Sequence, residues 1–544
     1  MNHLLKFINH ETDISKGAIL FMAIVSGAAN SVILIIINQA AEVVGSNNEI
    51  ETQLFFLYLT AFVLSILTGR YAFSETIIAF EKAIAKVRLR IVNKIRQSEL
   101  DFIENKGKVE IYTYLTQDTN LISSSSMLMI AAIQSSLILI FCLFYVFWLS
   151  PLGFLLIVFS TVLTVGIYFA YSDSVTDMLQ MTTIKETRFF ESLNHILIGF
   201  KEIKVNQKKN DDLFSFVETV ADEAKQLKIQ VGLKLILDVM FSRIFSNSVL
   251  GIIVFILPLF SLSHADVVIK LTSTLLFIMG SIEVVVAAVP MLAHANIAVG
   301  NLQQLEAQLD AVNKRTILTD KVPEKQFVDF KTIQLKNIQF KYLDKEGNPL
   351  FHVGPLNLTI QPGEILFIVG GNGSGKSTLL KLLTGLYYPD VGTLVVDNKV
   401  IEQNNYQAYR ELFSIIFTDF HLFDRLYGLP AVDEQQLNAL LGLMELEKKT
   451  QYLDGKFTHL DLSTGQKKRL AFIVTVLEDK PVYILDELAA DQDPQFRKYF
   501  YERVLPDLKK QGKTIIAVTH DDKYFDIADR IIKMDYGKIN DECF

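Results

Sequence analysis

Hydrophobic and polar positions follow two regimes along the chain. Up to residue 292 the apolar residues fall in six runs, at roughly 17–44, 53–80, 121–149, 152–172, 235–263 and 266–292. Each reaches the length of about 20 residues that a helix needs to cross some 30 Å of hydrocarbon. After about residue 330, short apolar runs alternate with helical patterning, as an α/β fold requires. Residues 311–330 (AVNKRTILTDKVPEKQFVDF) are polar and read as a linker. The pattern thus predicts a multi-pass α-helical membrane domain over 1–310 and an α/β domain over 331–544.

The links between apolar runs differ in charge. Those after the first, third and fifth are short and free of Lys and Arg, as in Trp148-Leu149-Ser150-Pro151-Leu152 and Ser261-Leu262-Ser263-His264-Ala265-Asp266. Those after the second and fourth are long and basic, with Lys82, Lys86, Arg88, Arg90, Lys94 and Arg96 in one and Lys201, Lys204, Lys208 and Lys209 in the other. Positive charge accumulates on the cytoplasmic side, so the long links and both termini are expected there. Helical patterning continues from the second run to about Leu100 with no proline and with Gly69 as its one weak point. At 1.5 Å per residue this is about 70 Å of helix, more than twice the membrane thickness. The helices should therefore project into the cytosol as levers, ending near Gly107 to Asp118 and Glu191 to Lys204.

Charged residues in or near the runs are costly there and have to be accounted for: Arg70, Glu75, Asp238, Arg243 and Glu283. Glu283 sits deepest. It either lines a water-filled substrate cavity or serves as an interhelical partner or rim residue.

Composition adds limits. Half of the 544 residues are hydrophobic and 21 % are charged, too apolar for an ordinary soluble protein of this size. A net charge of −8 gives no basic field for nucleic acid. Cys142, inside an apolar run, and Cys543, near the end, have neither metal-ligand spacing nor a disulfide framework, and read as a core thiol and a tail thiol. The N-terminus MNHLLKFINHETDISKG lacks the features of a removable signal peptide, so the first apolar run is expected to target the chain. About 16 residues precede that run, too few for an N-terminal peptidase domain, so leader processing by this chain is not expected.

The chemistry lies in the α/β half. Ile365-Leu366-Phe367-Ile368-Val369 is followed by Gly370-Gly371-Asn372-Gly373-Ser374-Gly375-Lys376-Ser377-Thr378 and a helical stretch ending at Gly385. This is strand, phosphate loop and helix. Glycines let backbone N–H groups turn inward around phosphates, and the helix start adds positive potential. Lys376 would reach the terminal phosphates of ATP, and Ser377 would offer a hydroxyl to Mg²⁺. The run Val482-Tyr483-Ile484-Leu485 ends in Asp486-Glu487, a buried parallel strand carrying two carboxylates with different tasks. Asp486 is expected to hold Mg²⁺ and Glu487 to act as general base on the attacking water. A third strand, Thr514 to Thr519, ends at His520.

With these motifs in place, the chain resembles an ATP-binding-cassette exporter half-transporter over essentially its full length. The distinguishing segment is Leu462-Ser463-Thr464-Gly465-Gln466, similar to that superfamily's LSGGQ signature with Thr464 in place of a glycine. The resemblance implies a type I exporter membrane domain, a P-loop cassette with a helical subdomain, and two cassettes closing head to tail. The signature of one chain would then cap the γ-phosphate held by Lys376 of the other. It also implies that Tyr342 stacks on adenine, that Asp493 lies in a loop crossing the dimer interface, and that His520 contacts the γ-phosphate. Where most members carry Gln before Asp at the lid, this chain has Thr418 before Asp419. Contact of Thr418 with Mg²⁺ or the lytic water would run through a bridging water or through Asp419.

The lid, the signature, the segment Asp486 to Pro494 and the ending Thr519-His520-Asp521-Asp522 look most like the branch that exports cyclic peptides and siderophores, including lasso microcins, lipopeptides and pyoverdine-type precursors. The implied function is ATP-driven export of such a cargo by a homodimer in a bacterial inner membrane. A multidrug exporter and a lipid flippase share the architecture. A sensory membrane ATPase that moves no cargo is disfavoured by the intact catalytic residues, and an importer by the fused cassette.

Overall fold

Continuous apolar patterning with little proline makes the described part of the first 313 residues helical almost throughout. The structure is a computed structural model that describes residues 2–12, 15–45, 52–260, 265–313, 327–344, 348–429 and 432–540. Part of the fifth link (261–264), most of the expected linker (314–326) and Cys543 lie outside the described residues. Two compact units result: one holds residues 1–95 and 106–308, the other 96–105 and 309–544.

The membrane unit contains α1 (Asn2–Glu11), α2 (Lys16–Gly45) and α3 (Thr52–Arg96). After α4 (Leu100–Lys106) it resumes with α5 (Lys108–Thr113), which runs through a π turn at Tyr114–Asp118 into α6 (Thr119–Leu149). Then come α7 (Pro151–Ile198), α8 (Phe200–Val205), α9 (Gln207–Gly251), a π turn at Ile252–Ile256, α10 (Leu257–Phe260) and α11 (Ala265–Asn313). By length and composition, four stretches among the described residues are long and apolar enough to cross a membrane: Lys16–Gly45, Thr52–Arg96, Lys108–Leu149 and Val267–Asn313. The runs expected at 152–172 and 235–263 lie in helix through residue 260. The second lever turns where sequence patterning places it, with the short α8 between α7 and α9.

Local chemistry sets the helix starts. Ser150 caps α7 by accepting from Gly153 N–H at 3.2 Å ahead of Pro151, and Asn206 caps α9 by accepting from Lys209 N–H at 3.0 Å. Inside the bundle small and polar residues replace bulk. A Cβ added at Gly27 would sit 2.9 Å from Leu137 Cβ, so α2 and α6 approach as closely as a glycine allows. Buried Ser26 donates to the Ser65 carbonyl at 3.2 Å, and Asn38 donates to Thr274 at 3.3 Å. Beyond the apolar run of α3, Arg90 joins three helices. It donates to Glu11 of α1 at 2.9 and 2.7 Å and to Glu306 of α11 at 2.6 and 3.1 Å, and Lys94 also reaches Glu306 at 2.7 Å.

The second unit is α/β. Strands β1 (Ile333–Leu343) and β2 (Pro349–Ile360) precede β3 (Ile365–Val369) and α12 (Lys376–Leu383). Next are β4 (Val391–Val396), β5 (Lys399–Val400), α13 (Tyr406–Arg410), β6 (Phe413–Ile416) and α14 (Glu434–Leu443). The small hairpin β7 (Tyr452–Leu453) and β8 (Lys456–Phe457) leads to α15 (Thr464–Glu478), β9 (Val482–Asp486), α16 (Pro494–Tyr499) and α17 (Leu505–Lys510). β10 (Thr514–Val518), β11 (Arg530–Asp535) and β12 (Lys538–Asn540) complete it. An antiparallel sheet has the order β2-β1-β4-β5, and a second sheet the order β12-β11-β3-β10-β9-β6, parallel except for β12. One core joins the antiparallel sheet to α12 and to Leu366 and Ile368 of β3. The other packs Ile365 and Phe367 against residues of α14, α15 and α16. Because alternate side chains of β3 enter opposite cores, the strand is buried on both faces, which explains its unbroken hydrophobicity. Helix α4 belongs to this unit: Glu104 accepts from Lys381 Nζ of α12 at 2.9 Å and from the Tyr387 hydroxyl.

Candidate functional site

The carboxyl ends of parallel strands converge on one cavity, as expected for an open α/β sheet. β3 delivers the chain into the loop at 370–375, and three features hold that loop in shape. A Cβ on Gly370 would lie 2.3 Å from the Met534 carbonyl oxygen, so only glycine fits where the loop passes β11. Gly375, at φ 102°, turns the backbone to start α12. Gly537 N–H donates to the Ser374 carbonyl at 2.9 Å, fastening the loop to the β11–β12 turn. Lys376 is buried, and its Nζ donates to the carbonyls of Gly370 and Gly371 at 2.9 and 3.0 Å. The cavity, about 600 Å³, is lined by Tyr342 and Phe351 from the antiparallel sheet, by Asn372 to Thr378, and by Glu487. Ser374 Oγ in this loop is a buried polar atom with no hydrogen-bond partner among the described residues.

β9 brings the two carboxylates to the same end of the sheet. Asp486 is 3 % exposed and accepts from Ser377 Oγ at 3.3 Å and from Thr418. Burial raises its carboxyl above the ordinary range. The Glu487 charge adds to the rise, while the bonds from Thr418 and Ser377 oppose it. Ser377 hydroxyl and Asp486 carboxylate are hard oxygen donors side by side beside a phosphate-type loop, a donor set that fits Mg²⁺, which uses one or two carboxylates and completes its shell with substrate oxygens. Among the described residues there is no cluster of three or more His, Cys, Asp or Glu that could hold a metal by itself. Glu487 follows β9 with a left-handed backbone, φ 53°. Its Oε1 stands 3.2 Å from His520 Nε2 beyond the end of β10.

Tyr342 packs against the core of the antiparallel sheet and also faces the cavity. It lines the cavity, its hydroxyl pairs with Thr378 Oγ1 at 3.2 Å, and its ring meets Phe340 and Tyr387 edge-on. Thr418 bonds Asp486 itself, a contact that the sequence does not announce. The segment Leu462 to Gln466 forms the start of α15, with Ser463 and Gln466 in a reciprocal capping box. It contributes none of the described residues lining the cavity. Asp493 caps α16, accepting from Gln495 and Phe496 N–H at 3.1 and 2.9 Å. The Phe496 bond above all holds its carboxyl below the ordinary range. In the membrane unit, Glu283 accepts from Arg243 Nε at 2.8 Å, so its interhelical partner is Arg243 of α9; the Glu283 side chain is 40 % exposed.

Sequence reasoning missed Arg469. Its Nη2 bonds Asp493 at 2.5 Å, its Nε bonds Gln492 at 2.8 Å and its Nη1 bonds Glu445 at 2.8 Å, with the guanidinium 3.9 Å from the Phe496 ring centroid. In sequence, nothing separates Arg469 from the neighbouring Lys467 and Lys468. Burial arises only when the loop 491–493 folds over α15.

Known proteins give a consistent picture. The family model described as ABC transporter matches residues 353–490, and that described as ABC transporter transmembrane region matches residues 16–257. The chain is 32 % identical to the ATP-binding protein SyrD of Pseudomonas syringae pv. syringae over 532 residues, 96 % of this chain and 93 % of that protein. It is 26 % identical over 514 residues to a probable ABC transporter ATP-binding/permease protein of Haemophilus influenzae, 88 % of each. The energy-coupling factor transporter ATP-binding protein EcfA1 of Mycoplasma genitalium is 31 % identical over 215 residues, 37 % of this chain and 75 % of that protein.

Proposed function

Because the chain belongs to the ABC exporters with fused transmembrane and ATP-binding domains, we propose that it works as a homodimer in a bacterial cytoplasmic membrane, exporting a peptide-like small molecule by ATP hydrolysis. The half-transporter architecture implies dimerisation, and the ATP-binding domain implies ATP. The observation that carries the reading is the convergence of Lys376, Ser377, Tyr342 and Glu487 on one cavity, while Ser463 begins a helix that supplies none of its described lining. A second copy placed head to tail would bring its Ser463 and the N–H groups of its α15 start to the phosphates.

In this scheme Tyr342 stacks on adenine, the N–H groups of 370–375 cradle the phosphates, and Lys376 and His520 contact the terminal phosphate. Glu487 takes the proton of the attacking water as its oxygen bonds the γ-phosphorus and the bond to the β-phosphate oxygen breaks. Ser377 and Asp486, with Thr418 behind Asp486, would hold Mg²⁺, whose charge offsets that of the phosphates. Closure of the paired cassettes moves the lever helices and turns the cavity outward; hydrolysis resets it. Both termini lie in the cytoplasm, in keeping with the basic long links. The Glu283–Arg243 pair, charged and partly exposed within apolar helices, supports a cargo path there.

The peptide cargo, whether cyclic or lasso peptide, lipopeptide or siderophore, is supported by the wording of the lid, the signature and the segment 486–494. Two experiments test the proposal. Glu487→Gln in the full-length protein should retain ATP binding, accumulate the closed dimer, and lose about 10²-fold or more in turnover; hydrolysis near the wild-type rate refutes the mechanism. Inside-out vesicles should accumulate a labelled cyclic peptide with ATP. Movement of labelled lipid, or stimulation by many unrelated drugs, without peptide uptake refutes the cargo.

A further inference from the structure

Five residues beyond Ser463 on the same helix, Lys468 is 2 % exposed. A buried ammonium persists only with partners, and here they are informative. Its Nζ donates to the backbone carbonyl of Glu487 at 2.7 Å and pairs with Asp491 Oδ2 at 2.7 Å. The carbonyl it grips belongs to the residue whose left-handed backbone, φ 53°, is held by non-glycine residues only where the surroundings fix it. On the other side of the same residue, Glu487 N–H donates to the Val518 carbonyl of β10 at 3.2 Å. The side chain that meets His520 therefore hangs between two anchors, one on β10 and one on α15. The start of α15 is itself pressed on the following loop: a Cβ on Gly465 would lie 2.7 Å from the Asp491 carbonyl oxygen, and Gln492 Nε2 donates to the Gly465 carbonyl at 2.9 Å.

We propose that Lys468 is a positioning residue for hydrolysis, holding Glu487 in line through its carbonyl and so tying the base of each site to the helix that begins at Ser463. The inference rests on the reading of Glu487 as general base and goes beyond it. In a head-to-tail dimer, the helix start that engages the neighbour's nucleotide and the carboxylate that acts on its own would belong to one rigid piece. The hydrogen bond to a main-chain carbonyl matters here because it fixes the peptide while leaving the carboxylate free to meet water.

The test is a double-mutant cycle in the detergent-solubilised full-length protein. In Lys468→Met the replacement has similar length and bulk, and Asp491, whose side chain is 49 % exposed, can be hydrated instead. Misplacing a catalytic group by about 1 Å costs about 10²-fold, so kcat should fall roughly 10- to 100-fold, with KM and equilibrium binding of ATP changed by less than about threefold. In a Glu487→Gln background the same change should lower the residual rate by less than about twofold, because the group that Lys468 positions is gone. A kcat within about threefold of wild type, an equal fold loss in both backgrounds, or a matching loss of ATP affinity overturns the proposal. Should Lys468→Met not fold, as judged by size exclusion, Lys468→Gln is measured in the same cycle with the same criteria. If Glu487→Gln itself turns over at wild-type rate, the general-base reading falls; if Glu487→Gln is inactive and Lys468→Met is not, only the positioning role falls.

Discussion

Arg90→Met should destabilise the membrane unit. The guanidinium donates twice to Glu11 and twice to Glu306, joining α1, α3 and α11 at one point. Hydrogen bonds to charged groups contribute about 1.5–3 kcal/mol each, but they share one side chain and are not additive. The Arg90 side chain is 34 % exposed, so water screens part of the gain, and Glu306 keeps Lys94 in the variant. A net loss of about 2 kcal/mol follows, less than the roughly 3–5 kcal/mol for breaking a fully buried pair. The assay is the apparent Tm of the full-length protein in detergent, read as loss of the monodisperse peak, and a fall of about 4 °C is expected at pH 7. The pH dependence adds a sign. Burial alone would raise the Glu306 carboxyl, but the bonds from Arg90 and Lys94 outweigh it and hold it below its ordinary value. Its stabilisation is therefore full above the ordinary glutamate pKa of about 4.3 and is lost as pH falls through the lower folded value, so the deficit of the variant should narrow there. A Tm within about 1 °C of wild type at pH 7, or a deficit equally large at acid pH, refutes the reasoning.

Two further predictions concern the nucleotide site. Gly370→Ala places a methyl 2.3 Å from the Met534 carbonyl oxygen, so the loop must shift; ATP affinity, measured by fluorescent-nucleotide titration, should fall by about tenfold or more, and unchanged affinity refutes the packing argument. Thr418→Ala removes one hydrogen bond to buried Asp486, worth about 1 kcal/mol, so the Mg²⁺ concentration for half-maximal ATPase should rise about fivefold; an unchanged requirement refutes the assignment.

Much of the fold is visible in the residue pattern because its causes are local. The run Ile365 to Val369 must be a doubly buried strand, and the glycines after it permit one kind of turn. The described residues of the six apolar runs are helical for the same reason. Other features depend on distant partners. Nothing near Tyr114 or Ile252 announces the π turns that interrupt otherwise regular helices. The bond from Thr418 to Asp486 spans two strands of the sheet, and Lys468 and Arg469 are buried against partners 19 to 24 residues on. Arg243, flagged only as a charge in an apolar run, became the counter-ion of Glu283 once α9 and α11 lay together. Charged side chains in helices look alike in sequence, and only packing separates a solvated face from a fastening.

Helix α4 has a consequence of that kind. It follows α3 along the chain, yet Glu104 is fastened to Lys381 and Tyr387, one on and one just beyond the helix that starts at the phosphate loop. Its amide-exchange protection should therefore rise and fall with that of the ATP-binding unit, although its neighbours along the chain on both sides belong to the membrane unit.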